Sequence, residues 1–67
     1  MTYNQAIKRA QKLARERRKY MYIVYDPAYP NDEYGYDVVD DYDLDTFYLG
    51  LRPQVTFAPG GECAVNV

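Results

Sequence analysis

The sequence predicts an α+β fold: an N-terminal helix packed on a small three-stranded antiparallel sheet, with a short second helix, in the order α-β-β-α-β. Two observations carry this prediction. Apolar residues before position 20 recur at three- and four-residue spacing, as in an amphipathic helix. Beyond it, β-branched and aromatic runs alternate with Pro, Gly, Asn and Asp, which is typical of short strands joined by turns. We expect one domain over residues 1–67, because so short a chain builds a single core.

The first predicted helix runs from about Tyr3 to Arg18. Thr2 and Gln5 have the spacing of a capping box, in which the Thr hydroxyl accepts from the Gln amide and the Gln side chain reaches back. No Gly or Pro interrupts the segment before Pro27. Its apolar stripe is narrow and rich in alanine, so that a sheet can approach closely; the stripe consists of Tyr3, Ile7, Ala10, Leu13 and Ala14.

Two strands are predicted after this helix, joined as an antiparallel hairpin by a long loop. They cover Tyr20–Tyr25 and Tyr34–Val39, and turn residues lie between them at Asp26-Pro27 and Tyr29–Asp32. Side chains alternate between the two faces of a strand. One face of the first strand therefore carries Tyr20, Tyr22 and Val24, and the other carries Met21, Ile23 and Tyr25. If the first helix covers one face only, the other presents tyrosine rings.

A short second helix is predicted in the middle of the chain. Asp41 or Asp43 suits its N-cap, and Gly50 suits the C′ position after its end. We expect its inward residues to be Leu44, Phe47 and Tyr48.

In the C-terminal third, the sequence predicts one strand and leaves a second one open. Gln54–Ala58 has strand composition, and Pro59–Gly61 has turn composition. The segment Glu62–Val65 fits either a fourth strand or a loose tail.

The residue inventory excludes most catalytic schemes. The chain contains no His and no Ser, so a Ser-His-Asp triad is impossible. Cys63 has no histidine to activate it as a nucleophile, and a single Cys supplies neither a structural zinc site nor a disulfide within the chain. Paired carboxylates could serve a glycosidase, but the chain has little room for a sugar cleft beside its core. We therefore expect no enzyme activity and no cofactor.

A metal site is the next candidate, since Asp41-x-Asp43-x-Asp45 resembles the opening of an EF-hand loop. That loop needs Gly at its sixth position and Glu at its twelfth. Here those positions hold Thr46 and Arg52, so the resemblance fails. We expect no dedicated metal site, although an opportunistic Mg²⁺ or Ca²⁺ site stays open.

Targeting signals are missing from the sequence as well. The N-terminus has no apolar run of signal-peptide length, and the longest apolar run, Tyr20 to Tyr25, is too short to span a membrane. A lone thiol suits a reducing compartment. These features predict a cytoplasmic protein that does not bind membranes.

The charge is divided between the two ends of the chain. Residues 1–19 hold seven basic side chains and one acid, whereas residues 20–67 hold one Arg and nine acids. The net charge of −2 therefore conceals a strong asymmetry, which bears on partners and steering rather than on the fold.

The basic helix has three interpretations: a solvated face, a face neutralised by the acidic half of the same fold, or a surface that binds phosphates or an acidic protein. The acidic net charge argues against a dedicated nucleic-acid binder. If the third interpretation holds, the binding residues are Lys12, Arg15, Arg18 and Lys19.

The acidic segment can imitate nucleic-acid phosphates. Alternate carboxylates of an extended Asp41–Asp45 segment lie about 6.7 Å apart on one face, from a rise of about 3.3–3.4 Å per residue. The alternative is that these acids only keep a small, tyrosine-rich domain soluble. Under the first interpretation, the partner-binding residues are Asp32, Glu33, Asp37, Asp40, Asp41, Asp43 and Asp45.

The chain resembles the small phage-encoded anti-CRISPR proteins, in particular those directed at type I-C systems. The resemblance lies in its short length, the basic helix end Ala14–Tyr20 and the acidic segment Asp37–Asp45. Several such inhibitors occupy the DNA-receiving surface of the Cascade surveillance complex, often at the subunit that reads the PAM. The resemblance implies a phage protein, acting in the host cytoplasm, whose acidic segment contacts a Lys/Arg-lined groove of Cascade.

We therefore expect a non-enzymatic protein–protein inhibitor that does not bind nucleic acid itself. The alternative is a small regulatory module that binds nucleic acid through the basic face of the first helix. A third hypothesis is a structural subunit that dimerises through its tyrosine face. The sequence leaves monomer and homodimer open.

Overall fold

The predicted α+β fold is confirmed, with a sheet of four strands rather than three. The structure is a computed structural model that describes residues 1–26, 28 and 33–64. The elements are α1 Tyr3–Arg17, β1 Met21–Tyr25, β2 Tyr36–Val39, α2 Asp41–Phe47, β3 Val55–Phe57 and β4 Cys63–Ala64.

The capping box at the start of α1 is confirmed in both directions. Thr2 Oγ1 accepts from Gln5 N at 3.2 Å, and Gln5 Oε1 accepts from Thr2 N at 2.9 Å. These bonds satisfy amides that have no partner inside the helix. The helix ends at Arg17, one residue earlier than predicted, because Arg18 adopts a left-handed backbone conformation with φ of 53°.

The four strands form one antiparallel sheet in the order β2-β1-β3-β4. Tyr25 pairs with Tyr36 where the predicted hairpin closes, and Ile23 has Val38 on one side and Val55 on the other. All strands are shorter than the sequence predicted. The open question at Glu62–Val65 resolves as the short edge strand β4, although Val65 itself lies outside the described residues.

The main core lies between α1 and one face of the sheet. Ala6, Ala10 and Ala14 are completely buried and belong to one cluster with Met21, Ile23 and Phe57, among others. Because alanine adds no bulk beyond Cβ, the helix axis can lie close to the sheet.

The opposite face of the sheet is covered by α2, which packs against β1 and β2. Val24 and Val39 on this face are buried, at 0% and 3% exposure. The expectation that this face presents tyrosine rings is therefore wrong for Tyr22, which is half-buried, and holds for Tyr20, which is 45% exposed. The two helices consequently lie on opposite sides of the sheet.

Three details of α2 differ from the prediction. Asp40 is the N-cap instead of Asp41 or Asp43, since its Oδ1 accepts from Asp43 N at 2.9 Å. The helix ends with Tyr48 as C-cap, so Gly50 lies two residues beyond it rather than at C′. Phe47 points to solvent with 72% exposure, whereas its expected inward neighbours, Leu44 and Tyr48, are half-buried.

No helix in the described part of the chain has the length and apolar character needed to cross a membrane.

Candidate acidic interface on the second helix

Three of the predicted carboxylates lie on α2, which makes their arrangement helical. Asp41 and Asp45 are four residues apart and share one side of the helix, while Asp43 lies on another. The predicted ladder of carboxylates along an extended Asp41–Asp45 segment is therefore wrong. The acids are instead distributed around a single short helix, which we call the acidic surface, consisting of Asp41, Asp43 and Asp45.

Asp40 serves the fold. Besides capping α2, it accepts a hydrogen bond at Oδ2 from Lys19 Nζ at 2.7 Å. The Lys19 hydrogen bond, followed by the bond from the Asp43 amide, holds the pKa of Asp40 below its usual range. This carboxylate ties α2 to the segment between α1 and β1, and its charge is balanced within the molecule.

Two further carboxylates attach α2 to the sheet through tyrosine hydroxyls. Tyr22 on β1 donates to Asp41 Oδ1, and Tyr48 donates to Asp37 Oδ2 at 2.9 Å. Partial burial, followed by these hydrogen bonds, raises the pKa of both tyrosines to about 12. A hydroxyl carries no positive charge, so these contacts position Asp37 and Asp41 without neutralising them.

The acidic surface is not neutralised by the protein's own cations. Within residues 1–26, 28 and 33–64, the ion pairs are Lys19–Asp40 and Lys12–Glu16, the latter at 4.0 Å. Asp41 and Asp45 are exposed and Asp43 is half-buried. A cationic partner can therefore approach this side of the sheet and meet uncompensated negative charge.

Glu33 is separated from the acidic surface. It is exposed and lines a recess with Thr2, Tyr3 and Tyr36 at the beginning of α1. The expectation that it borders the same interface as the α2 carboxylates is wrong. Asp32, the other predicted rim residue, lies outside the described residues.

The predicted basic face has two different halves. Lys12 and Lys19 have carboxylate partners, whereas Arg15 and Arg18 form no ion pair with any described residue. Arg15 lies against the β3–β4 turn, since a Cβ built on Gly61 would meet its Nε at 2.5 Å. Among the described residues, internal neutralisation of the basic segment is therefore confined to Lys19, which follows the end of α1, and to the Lys12–Glu16 surface pair.

Three large apolar side chains around the acidic surface were missed by the sequence analysis. Tyr42 and Phe47 are each 72% exposed, and Leu49 is 82% exposed. A signal was present in the spacing, because Phe47 follows Asp43 by four residues and therefore shares its side of α2.

The described residues offer no group of three or more Cys, Asp and Glu side chains able to hold a metal ion. What the arrangement can do is bind: it presents carboxylates and apolar side chains together on one exposed helix.

Comparison with protein-family models, with curated proteins and with solved structures found no match to this chain.

Proposed function

We propose that this protein is a non-enzymatic inhibitor that occupies a cationic, DNA-binding groove of another protein through its acidic surface. In its most specific form, the proposal follows the resemblance to phage-encoded anti-CRISPR proteins: the target is a type I Cascade complex in the host cytoplasm. Occupancy is the mechanism, and nothing is turned over.

The observation that supports this proposal is the lack of internal neutralisation on α2. Asp41, Asp43 and Asp45 lie on α2, which the sheet separates from the cations of α1. Of the described acids in the segment Asp37–Asp45, Asp40 alone has a cationic partner. Uncompensated charge steers a cationic partner and speeds its association, most strongly at low salt.

A competition assay tests the proposal. Purified type I-C Cascade is mixed with labelled target DNA, and the protein is titrated in at two salt concentrations while the DNA shift is recorded. We expect stoichiometric loss of DNA binding. The variant Asp41→Asn, Asp43→Asn, Asp45→Asn should lose inhibition, because it removes the negative charge yet keeps the capping carboxylate of Asp40.

A matched variant neutralises three charges of the other sign: Lys12→Gln, Arg15→Gln, Arg18→Gln. It should inhibit as well as the unmodified protein. Full inhibition by the folded aspartate variant, at the same protein concentration, would contradict the proposal.

A second candidate function gains support from the same architecture. The acidic net charge argued against nucleic-acid binding, but α1 and α2 lie on opposite sides of the sheet, so the α2 acids are not beside the basic helix. The exposed Arg15 and Arg18 can therefore meet a phosphate backbone without the α2 acids in the way. Direct, salt-dependent DNA binding by the protein alone, weakened in the Lys12/Arg15/Arg18 variant, would favour this regulatory module over the inhibitor.

A further inference from the structure

The most exposed large apolar side chains of the described residues gather on and just after α2. Phe47 and Leu49 are exposed by 72% and 82%, and Tyr42 by 72%, within eight consecutive positions. The main core excludes them, and α2 contributes no buried residue to the protein. Clusters of exposed apolar residues bordered by polar groups mark interaction sites more often than isolated ones do.

We propose that Phe47 and Leu49 are the apolar anchors of an interface whose partner is a protein surface that presents apolar side chains surrounded by Arg and Lys. Phe47 lines a groove of about 320 Å³ between α2 and β2. The other lining residues are Asp37, Val38, Val39, Asp43 and Tyr48. An apolar ring beside carboxylates fits a partner that inserts an apolar group and surrounds it with guanidinium groups. This inference rests on the proposed function, since it assigns the anchors of that same surface.

Charge selects this partner over a second copy of the chain. In a twofold dimer the same patch faces itself, which would bring Asp41, Asp43 and Asp45 of one copy against those of the other. Like charges so placed oppose association. A cationic partner removes that repulsion and gains attraction from the same three carboxylates.

The anchors and the carboxylates have separable physical signatures. Burial of an apolar side chain depends weakly on ionic strength, whereas attraction between exposed charges is screened by salt. Affinity supplied by Phe47 and Leu49 should therefore persist when salt is raised. Affinity supplied by the three aspartates should fall.

Two synthetic peptides of equal length and equal arginine content test the inference without the Cascade complex. One carries Leu at helical spacing between the arginines, and the other carries Ser at the same positions. Binding of each labelled peptide is measured by fluorescence anisotropy at low and high salt. The unmodified protein should bind the Leu peptide at least tenfold more tightly than the Ser peptide, by a ratio that salt leaves unchanged.

The variant Phe47→Ser, Leu49→Ser should bring that ratio to near one while binding the Ser peptide normally. Tyr34→Ser is the matched control, because the Tyr34 ring is also well exposed, at 60%, but does not belong to α2. Tyr34 lies before β2, whereas α2 lies after it. The Tyr34→Ser variant should keep the preference. Thermal unfolding checks that each variant is folded.

Three results would overturn the inference: no preference for the Leu peptide, an undiminished preference in the double variant, or concentration-dependent dimerisation that the double variant abolishes. The last would make the occupant a second copy. Failure to displace DNA from Cascade, together with the expected peptide preference, would refute the proposed target and leave the anchors in place.

Discussion

The two helices pack on opposite faces of one sheet by different physical means. Helix α1 buries Ala6, Ala10 and Ala14 completely, so apolar contact holds it in place. Helix α2 buries none of its residues, and hydrogen bonds between Tyr22 and Asp41 and between Tyr48 and Asp37 attach it. We therefore call α1 a structural helix, because apolar burial holds it, and α2 a presenting helix. Helix α2 uses part of its polar side for attachment and leaves apolar side chains exposed to solvent.

The same contrast applies to charge. Cations lie along the outer side of α1 and just beyond its end, and two of them, Lys12 and Lys19, have carboxylate partners at Glu16 and Asp40. Among the described residues, the carboxylates of the acidic surface form no ion pair, and Asp41 accepts a hydrogen bond from the neutral Tyr22 hydroxyl. Carboxylates that accept from neutral hydroxyls, as Asp37 and Asp41 do, keep their full charge for a partner.

The largest expected effect comes from two neighbouring residues of β1 that face different helices. Ile23 and Val24 are both completely buried, Ile23 within the cluster of α1 and Val24 on the α2 side. Ile23→Ala should cost about 2–5 kcal/mol of unfolding free energy. Val24→Ala removes one carbon fewer, at about 0.8 kcal/mol per buried CH₂, and should cost less.

Urea unfolding measures both costs, and Phe47→Ala is the control. A side chain so exposed should change the unfolding free energy by less than about 0.5 kcal/mol. An equal loss for Phe47→Ala and Ile23→Ala would break the distinction between a structural and a presenting helix.

The next effect concerns two glycines with the same backbone conformation. Gly50 and Gly61 both have φ of 87°, but a Cβ on Gly50 meets nothing within 4 Å, whereas one on Gly61 meets Arg15. A left-handed L-residue costs roughly 1–2 kcal/mol at either position. Gly61→Ala must also displace the Arg15 side chain and disturb the Gln11–Gly61 hydrogen bond.

We therefore expect Gly61→Ala to lower the unfolding free energy more than Gly50→Ala, as measured by denaturant titration of both variants. The difference between the two losses of unfolding free energy measures how much the contact between the β3–β4 turn and α1 contributes to stability. Equal losses would mean that the turn contributes little to holding this helix.

The cap of α2 should be more sensitive to acid than the cap of α1. Asp40→Ala should cost about 0.5–2 kcal/mol through the lost cap, and Thr2→Ala should cost a similar amount. The pKa of Asp40 is lowered in the folded protein, chiefly by Lys19. The stabilisation by Asp40 is therefore fully present above its unfolded pKa of about 3.9 and is lost as the pH falls through the folded value.

Unfolding measured from pH 7 to pH 2 checks this. The stability difference between the unmodified protein and Asp40→Asn should shrink below about pH 4, while that for Thr2→Ala should not change with the titration of this carboxyl. A constant difference for Asp40→Asn would contradict the Lys19–Asp40 contact.

The smallest effect is expected in alkali, where the tyrosine attachments of α2 weaken. The folded pKa values of Tyr22 and Tyr48 are raised to about 12 from an ordinary 10.0. Their hydrogen bonds therefore stabilise the protein fully below about pH 10 and are lost as the pH rises through about 12. Each bond is worth on the order of 0.5–1.5 kcal/mol.

Ultraviolet titration of the phenol groups should show Tyr22 and Tyr48 ionising late, and Tyr22→Phe should remove the contribution of Tyr22. Tyr3→Phe is a suitable control, since Tyr3 contacts the Tyr36 ring on the α1 side. A late titration that is unchanged in the Tyr22→Phe variant would argue against the Tyr22–Asp41 attachment.

Much of the fold could be predicted because its signals are local. The capping box at Thr2 and Gln5, the alternation along β1 and the turn at Pro59–Gly61 each depend on a few neighbouring residues. The largest errors fall at α2, where the candidate caps lie within four consecutive residues. Asp40, Asp41 and Asp43 all suit a cap, and only the docking of Lys19 and Tyr22 distinguishes them.

By itself, the sequence determined the α+β class, the division of charge and the lack of His and Ser for catalysis, because these follow from composition and short-range pattern. The tertiary structure alone decided that α2 covers the face of the sheet opposite α1. It also decided which carboxylates serve the fold and which apolar side chains of α2 remain outside. The physical reason is that a seven-residue helix has no apolar stripe of its own, so its orientation depends on the polar groups that the sheet offers it.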